Sequence, residues 1–64
     1  MKFNQITTGQ KLIVDGVFDC LKEGEICLVQ QDQHGLYVRC RSGNHYLDGQ
    51  IGRNNEIVGL IPIN

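Results

Sequence analysis

The chain has 64 residues, with six Lys and Arg against seven Asp and Glu. A chain this short buries only about 60% of the surface that its unfolded form exposes, so it forms a single core. This length excludes a second domain. A net charge of −1 gives a weak long-range field, which argues against non-specific binding of nucleic acids. We therefore expect one domain over residues 1–64, for which forming a homo-oligomer is one way to bury leftover apolar surface.

The sequence also bears on the cellular compartment. No stretch approaches the roughly 18 apolar residues of a membrane span, and residues 1–10 lack the apolar run of a signal peptide. Cys20, Cys27 and Cys40 cannot all pair within one chain. We therefore expect a cytoplasmic protein with reduced thiols and no contact with membranes.

Eight glycines divide the chain into short segments. Between the first and the last of them, the longest stretch without glycine is residues 25–34. Glycine inside a helix costs about 1 kcal/mol relative to alanine, and helices usually need 8–20 residues. The spacing therefore predicts an all-β domain of short strands joined by turns.

The first three predicted strands follow from apolar runs and turn residues. Lys11–Val14 is a β-branched run that ends at Asp15-Gly16, a strong turn signal. Residues 26–30 and 36–41 are predicted to form a hairpin around the turn at residues 32–35.

The register of this hairpin depends on the length of its turn. Gly35 suits a type I turn followed by a G1 bulge, which would place Leu28 opposite Cys40. A two-residue loop would instead place Cys27 opposite Cys40. We favour the first register because it separates apolar from charged side chains. Its apolar face holds Ile26, Leu28, Leu36, Val38 and Cys40, and its other face holds Tyr37, Arg39 and Arg41.

Two further strands complete the prediction. Residues 45–51 are predicted as a fourth strand weakened by Gly49, and residues 56–61 as a fifth after the turn at Asn54 and Asn55. Pro62 cannot donate a ladder hydrogen bond, so it marks the end of a strand or an edge. The predicted core consists of Leu12, Val14, Ile26, Leu28, Leu36, Val38, Leu47, Ile57 and Leu60.

Five short strands around one core would close most economically as a small barrel, which removes exposed edges. The order of five segments, residues 9–14, 21–25, 26–29, 35–38 and 45–47, resembles small SH3-like barrels. The chain looks most like the short single-domain proteins of this type encoded in bacteriophage genomes, and more distantly like KOW-type barrels. The resemblance covers about residues 9–61. It implies a five-stranded SH3-like barrel and, if the chain is viral, a host or viral protein complex as partner in the host cytoplasm.

Candidate metal ligands are spread singly along the chain. Zinc sites usually take their ligands as close pairs, such as two Cys separated by two to four residues. The candidates here are separated by four to six residues at every step: Cys20, Cys27, His34, Cys40 and His45. We therefore predict that no metal or other cofactor is bound, and that the cysteines act as small apolar residues.

Two catalytic readings of the sequence are also disfavoured. A reactive thiol at Cys40 would need a nearby positive charge, but Arg39 and Arg41 alternate with it along the strand and face away. The glycines at 49 and 52 are not followed by the Lys-Ser/Thr of a phosphate loop. We therefore predict that the protein is not an enzyme.

The strongest candidate site combines aromatic and basic side chains. Tyr37, Arg39 and Arg41 share one face of a predicted strand. The other residues of this candidate site come later in the chain: His45, Tyr46 and Arg53. Such residues are typical of protein-interface hot spots and of surfaces that stack single-stranded nucleic acid, although they also occur on ordinary solvated faces. We predict a non-enzymatic module that binds a partner protein here. The alternatives are a single-stranded nucleic-acid binder using the same residues and an oligomeric small-ligand binder.

Overall fold

The structure, a computed structural model, describes residues 1–63. It contains six strands, three short 3₁₀ segments and, within those residues, no α-helix, so the all-β prediction is confirmed. The strands are β1 Lys11–Val14, β2 Ile26–Leu28, β3 Gln30–Asp32, β4 Gly35–Cys40, β5 Gly43–Tyr46 and β6 Leu60–Ile63. The 3₁₀ segments are Phe3–Gln5, Leu47–Gln50 and Arg53–Asn55.

The strands form two three-stranded antiparallel sheets that are not closed into a barrel. In the first sheet β1 lies between β2 and β6, and in the second β4 lies between β3 and β5. The predicted five-stranded SH3-like barrel is not confirmed. Six strands form where five were predicted, because residues 26–32 divide at Val29 into β2 and β3, which lie in different sheets.

Val29 is the point at which the chain passes from one sheet to the other. Its side chain is completely buried, its amide donates to the carbonyl of Gln10 at 2.8 Å, and its carbonyl accepts from the amide of Gly9 at 2.9 Å. The change of sheet therefore leaves no unpaired main-chain group at this residue.

The core fills the space between the inner faces of the two sheets. The prediction is confirmed for Leu12, Val14, Val38, Leu47, Ile57 and Leu60, which are all buried. Leu36 is half-buried against them. The prediction is wrong for Ile26 and Leu28, which are 61% and 47% exposed, and it missed four buried residues: Ile6, Leu21, Cys27 and Val29.

The register of the β3–β4 hairpin also differs from the prediction. Asp32 pairs with Gly35, so the loop has two residues, and Gly35 supplies the positive φ of 121°. The favoured register is therefore wrong. Leu28 lies outside this hairpin and pairs with the exposed Lys11 on β1, beside the pair of the buried Leu12 and Cys27, so its side chain points outward.

The chain after β4 also departs from the prediction. Strand β5 ends at Tyr46, and the next four residues form a 3₁₀ turn that carries Leu47 into the core. Of the predicted fifth strand, residues 56 and 57 form isolated bridges, and residues 60 and 61 belong to β6, which continues to Ile63. Pro62 lies in β6, at an edge of the first sheet, as predicted.

Candidate functional site

Strand pairing gathers aromatic and polar side chains on the outer face of the second sheet. Tyr37 lies opposite Tyr46, and Arg39 lies opposite Asn44. Directly opposed residues of an antiparallel pair project from the same face, and Val38 between them is buried, so this set points outward. We call this surface the tyrosine face; it consists of Gln30, Asp32, Tyr37, Arg39, Asn44 and Tyr46.

Hydrogen bonds hold the two tyrosines of this face in place. Their ring centroids are 5.6 Å apart, with planes tilted by 56°. The Tyr46 hydroxyl donates to Asp32 Oδ2 at 2.5 Å, and the Tyr37 hydroxyl donates to Gln30 Oε1 at 3.5 Å. Both tyrosines are half-buried. The face therefore presents an aromatic surface whose side chains are already ordered.

Asp32 is the anionic member of the tyrosine face. Its carboxylate accepts hydrogen bonds from the Tyr46 hydroxyl and, at 2.7 Å, from the main-chain amide of His34. The Tyr46 hydrogen bond is the largest cause that lowers the pKa of Asp32 below its ordinary value. The Asn44 amide lowers the pKa of Tyr46, but Asp32 and partial burial outweigh it, so that pKa is raised. At neutral pH the face therefore carries a carboxylate beside the protonated hydroxyl of Tyr46.

The Asp32–Tyr46 hydrogen bond makes stability depend on pH. Because the folded-state pKa of Asp32 lies below its unfolded value, the contribution is present above the unfolded pKa and is lost as pH falls through the folded pKa. We expect Tyr46→Phe to lower the melting temperature at neutral pH, and this difference to shrink below about pH 4.

Thermal melts followed by circular dichroism across the acid range measure this dependence. Tyr37→Phe is the matched control, because its hydroxyl bonds the neutral Gln30 side chain and its effect is expected to stay constant over the same range. A Tyr46→Phe deficit that is equally constant would contradict the role given to Asp32.

The predicted basic residues are distributed over different parts of the surface. Arg39 is exposed on the tyrosine face, and within residues 1–63 no hydrogen bond or ion pair holds its guanidinium group. Arg41 is exposed in the turn between β4 and β5, where its amide donates to the carbonyl of Cys20 at 3.5 Å. Arg53 is exposed in the 3₁₀ segment Arg53–Asn55, outside the tyrosine face. The structure thus groups Arg39 with the two tyrosines.

His45 lies on the inner side of the second sheet. It pairs with the buried Val38 and is itself half-buried. Its Nδ1 atom is 3.4 Å from the Sγ atom of Cys20, and its Nε2 atom is 3.0 Å from Oε1 of Gln50. The Phe18 ring contacts it edge to face at 5.6 Å. His45 is therefore separated from the tyrosine face by the sheet.

The contacts that join the side chains of Cys20, His45 and Gln50 were not anticipated from the sequence. A nucleophilic thiol needs a lowered pKa, but a hydrogen bond with Cys40, followed by burial, raises the pKa of Cys20 above its ordinary value. The Cys40 thiol has a lowered pKa because Ser42 and then Cys20 hydrogen-bond to it. Cys20 is thus a protonated thiol at neutral pH. Among residues 1–63, no group of three or more His, Cys, Asp or Glu side chains is arranged to hold a metal ion.

An open pocket of about 290 Å³ lies beside Gln50 of this group of contacting side chains. Its lining consists of Asp15, Gly16, Val17, Phe18, Gln50, Val58 and Gly59. Gln50 connects the pocket to His45 and also donates through Nε2 to the carbonyl of Val58 at 3.0 Å. Asp15 is the charged residue of this lining, and the volume lies at the lower limit for small-molecule sites.

Comparisons with known proteins do not assign a family to this arrangement. A scan against protein-family models found no match, and searches of curated proteins and of solved structures found none either. No helix within residues 1–63 is both long and apolar enough to cross a membrane. Function is therefore inferred from the residues and their geometry.

Proposed function

We propose that this protein is a non-enzymatic binding module that uses the tyrosine face to bind a partner protein. The observation that carries the proposal is the pair of ordered tyrosines, Tyr37 and Tyr46, with Arg39 on the same face and unpaired within residues 1–63. Tyrosine and arginine are enriched among the few residues that dominate interface energies. Because hydrogen bonds already fix both tyrosine rings, binding costs little additional side-chain entropy.

Charge favours a protein partner over a nucleic acid. Asp32 remains ionised within the tyrosine face, and its carboxylate would repel a phosphate backbone. The chain as a whole carries a net charge of −1. Single-stranded nucleic acid remains the second candidate, because tyrosine rings beside an arginine also suit base stacking. A third candidate, binding of a small ligand, would use the pocket beside Phe18.

We also propose that the chain is related to SH3-like barrels and to bacteriophage proteins, which its sequence resembles. The passage of β2 through Val29 into β3, which links the two sheets by one continuous segment, supports an SH3-like arrangement. A viral chain would act in the host cytoplasm, on a host or viral protein complex.

The double variant Arg39→Ala/Arg41→Ala tests the tyrosine face together with Arg41 in the adjoining β4–β5 turn. We expect it to fold normally, with a change below about 0.5 kcal/mol per site, because both arginines are exposed. We expect capture of the native partner to weaken by about 2 kcal/mol or more, roughly 30-fold. Pull-down from a lysate of the native source, followed by titration of the captured protein, measures the loss.

Arg53→Ala is the matched control, since it removes an exposed arginine from outside the tyrosine face. Capture by this control should equal capture by the unchanged protein. Equal capture by the Arg39→Ala/Arg41→Ala variant would refute the proposal. If the captured molecule is instead a nucleic acid, affinity must fall steeply between about 50 and 200 mM salt, which would favour the second candidate.

A further inference from the structure

The outer face of the first sheet is apolar and has no covering element among residues 1–63. Ile13 on β1 pairs with Ile26 on β2 and with Ile61 on β6, so the three side chains form a row across the sheet. Ile26 is 61% exposed and Ile61 is 46% exposed. Large exposed β-branched side chains in one row are typical of an interaction surface. We call this surface the isoleucine face; it consists of Lys11, Ile13, Asp15, Ile26, Leu28, Gly59, Ile61 and Ile63.

Two opposite charges flank the row, two residues to either side of Ile13. Lys11 is the first residue of β1, and Asp15 directly follows its last residue, Val14. Because the Asp15 amide still donates to the carbonyl of Gly59 at 2.8 Å, the pairing with the β6 side continues, and strand alternation directs all three side chains to the same face. Both charged residues are exposed, and within residues 1–63 neither side chain takes part in an ion pair or a hydrogen bond. Along the chain, the face therefore presents a cation, then the apolar row, and then an anion.

We propose that the isoleucine face binds a second copy of this chain, face to face, with the two β1 strands antiparallel. The two-fold axis lies in the interface plane, crosses the strands and passes at the level of Ile13. Under this symmetry Ile13 meets Ile13 of the second copy, and Lys11 of each copy meets Asp15 of the other. The interface therefore buries the apolar row between two equivalent ion pairs, as an isologous contact requires.

The sizes of the side chains are also complementary under the same symmetry. Leu28 and Ile63 pair with Lys11 at one end of the face. The other end, beside Asp15, carries Gly59, whose carbonyl accepts from the Asp15 amide at 2.8 Å. The rotation thus sets Ile63 of one copy over Gly59 of the other. Sheets stacked with strands nearly aligned, at about 30°, accommodate this arrangement.

The size of the face determines the strength expected of this dimer. A standard interface buries about 800 Å² per partner, which is close to a fifth of the 4359 Å² surface of this chain. Three short strands spaced about 4.8 Å apart offer less than that. We therefore expect a dimer that dissociates on dilution in the micromolar range. It would use the first sheet only and leave the tyrosine face accessible.

Charge reversal at β1 tests both the partner and the orientation. We expect sedimentation equilibrium of the unchanged protein to give a mass rising from 7.2 kDa towards twice that value with concentration. Lys11→Glu and Asp15→Lys should each weaken the dimer about tenfold or more, because each places like charges together at two symmetric positions. The double variant Lys11→Glu/Asp15→Lys re-forms both pairs and should restore association to within about threefold of the unchanged protein.

A substitution in the row and a matched control complete the test. Ile26→Lys should abolish the dimer, whereas Gln33→Lys, which adds the same charge at an exposed position in the β3–β4 turn of the second sheet, should leave it unchanged. Circular dichroism checks that each variant is folded. A protein that stays at 7.2 kDa at about 1 mM, or an Ile26→Lys variant that still dimerises, overturns the proposal and assigns the face to a different partner. A double variant that fails to associate overturns the antiparallel orientation.

Discussion

Leu12→Ala is expected to unfold most of the protein, whereas Leu28→Ala is expected to leave it folded. The two leucines lie on adjacent paired strands but on opposite faces of the first sheet, with exposures of 1% and 47%. Truncating a buried leucine costs about 2–5 kcal/mol, and a domain of this size has only about 3–5 kcal/mol in total. Leu28 loses little buried area, so its truncation is expected to cost less than about 1 kcal/mol.

Urea denaturation of dilute protein, at which association does not contribute, measures both free energies of unfolding. The residue type and the deletion are the same in the two variants, so the difference reports burial alone. Equal losses would contradict the observed register and would restore Leu28 to the core, as the apolar pattern first suggested.

Gly59→Ala is expected to have the second-largest effect, because two costs coincide at this residue. Gly59 has a φ of +83°, a backbone conformation that side chains with a Cβ atom rarely adopt. A Cβ atom there would also lie 2.7 Å from Cζ and 2.9 Å from Cε1 of Phe18. We expect backbone strain and overpacking together to lower the free energy of unfolding by about 2–4 kcal/mol.

Two further variants separate these causes. Gly49→Ala is the matched control, because Gly49 has no atom within 4 Å of the added Cβ and no positive φ. Its effect is expected to stay below about 1 kcal/mol. Combining Gly59→Ala with Phe18→Ala removes the steric contact, so the double variant should be less destabilised than the sum of the single ones. Strict additivity would show that Phe18 does not restrict Gly59, and chemical denaturation provides all the values.

The sequence predicted the fold class and most of the core for a clear physical reason. Leu12, Val14 and Val38 lie on strands whose alternating side chains differ enough in polarity to identify the buried face. The same alternation correctly directed Tyr37 and Arg39 away from the core. Glycine spacing excluded long helices without any knowledge of tertiary contacts.

The hairpin register could not be predicted in the same way. Along residues 26–29 all four side chains are apolar, so both faces of the strand are plausible core faces, and alternation gives no preference. The rule that apolar residues gather on one side then favoured the wrong face. It failed because the outer side of the first sheet is itself apolar, with Ile13 and Ile61 beside Ile26.

The pocket and the Cys20–His45 contact were beyond sequence reasoning for a different reason. The chain from residue 15 to residue 25 forms no strand, so no periodicity fixes the direction of its side chains. Phe18 and Cys20 reach His45 only through the tertiary approach of this loop to β5. No local pattern records such an approach.

The central position of β1 also determines how the chain must fold. One of its two neighbours in the sheet, β6, comes from a distant part of the sequence, and the pair Val14–Leu60 joins residues whose numbers differ by 60 − 14 = 46. Closing so long a loop costs chain entropy before the strand contacts form, and β-rich domains dominated by such contacts fold in milliseconds to seconds. Until β6 arrives, β1 presents an unpaired edge beside exposed isoleucines. The interval before that last pairing is therefore when the protein is most prone to aggregate.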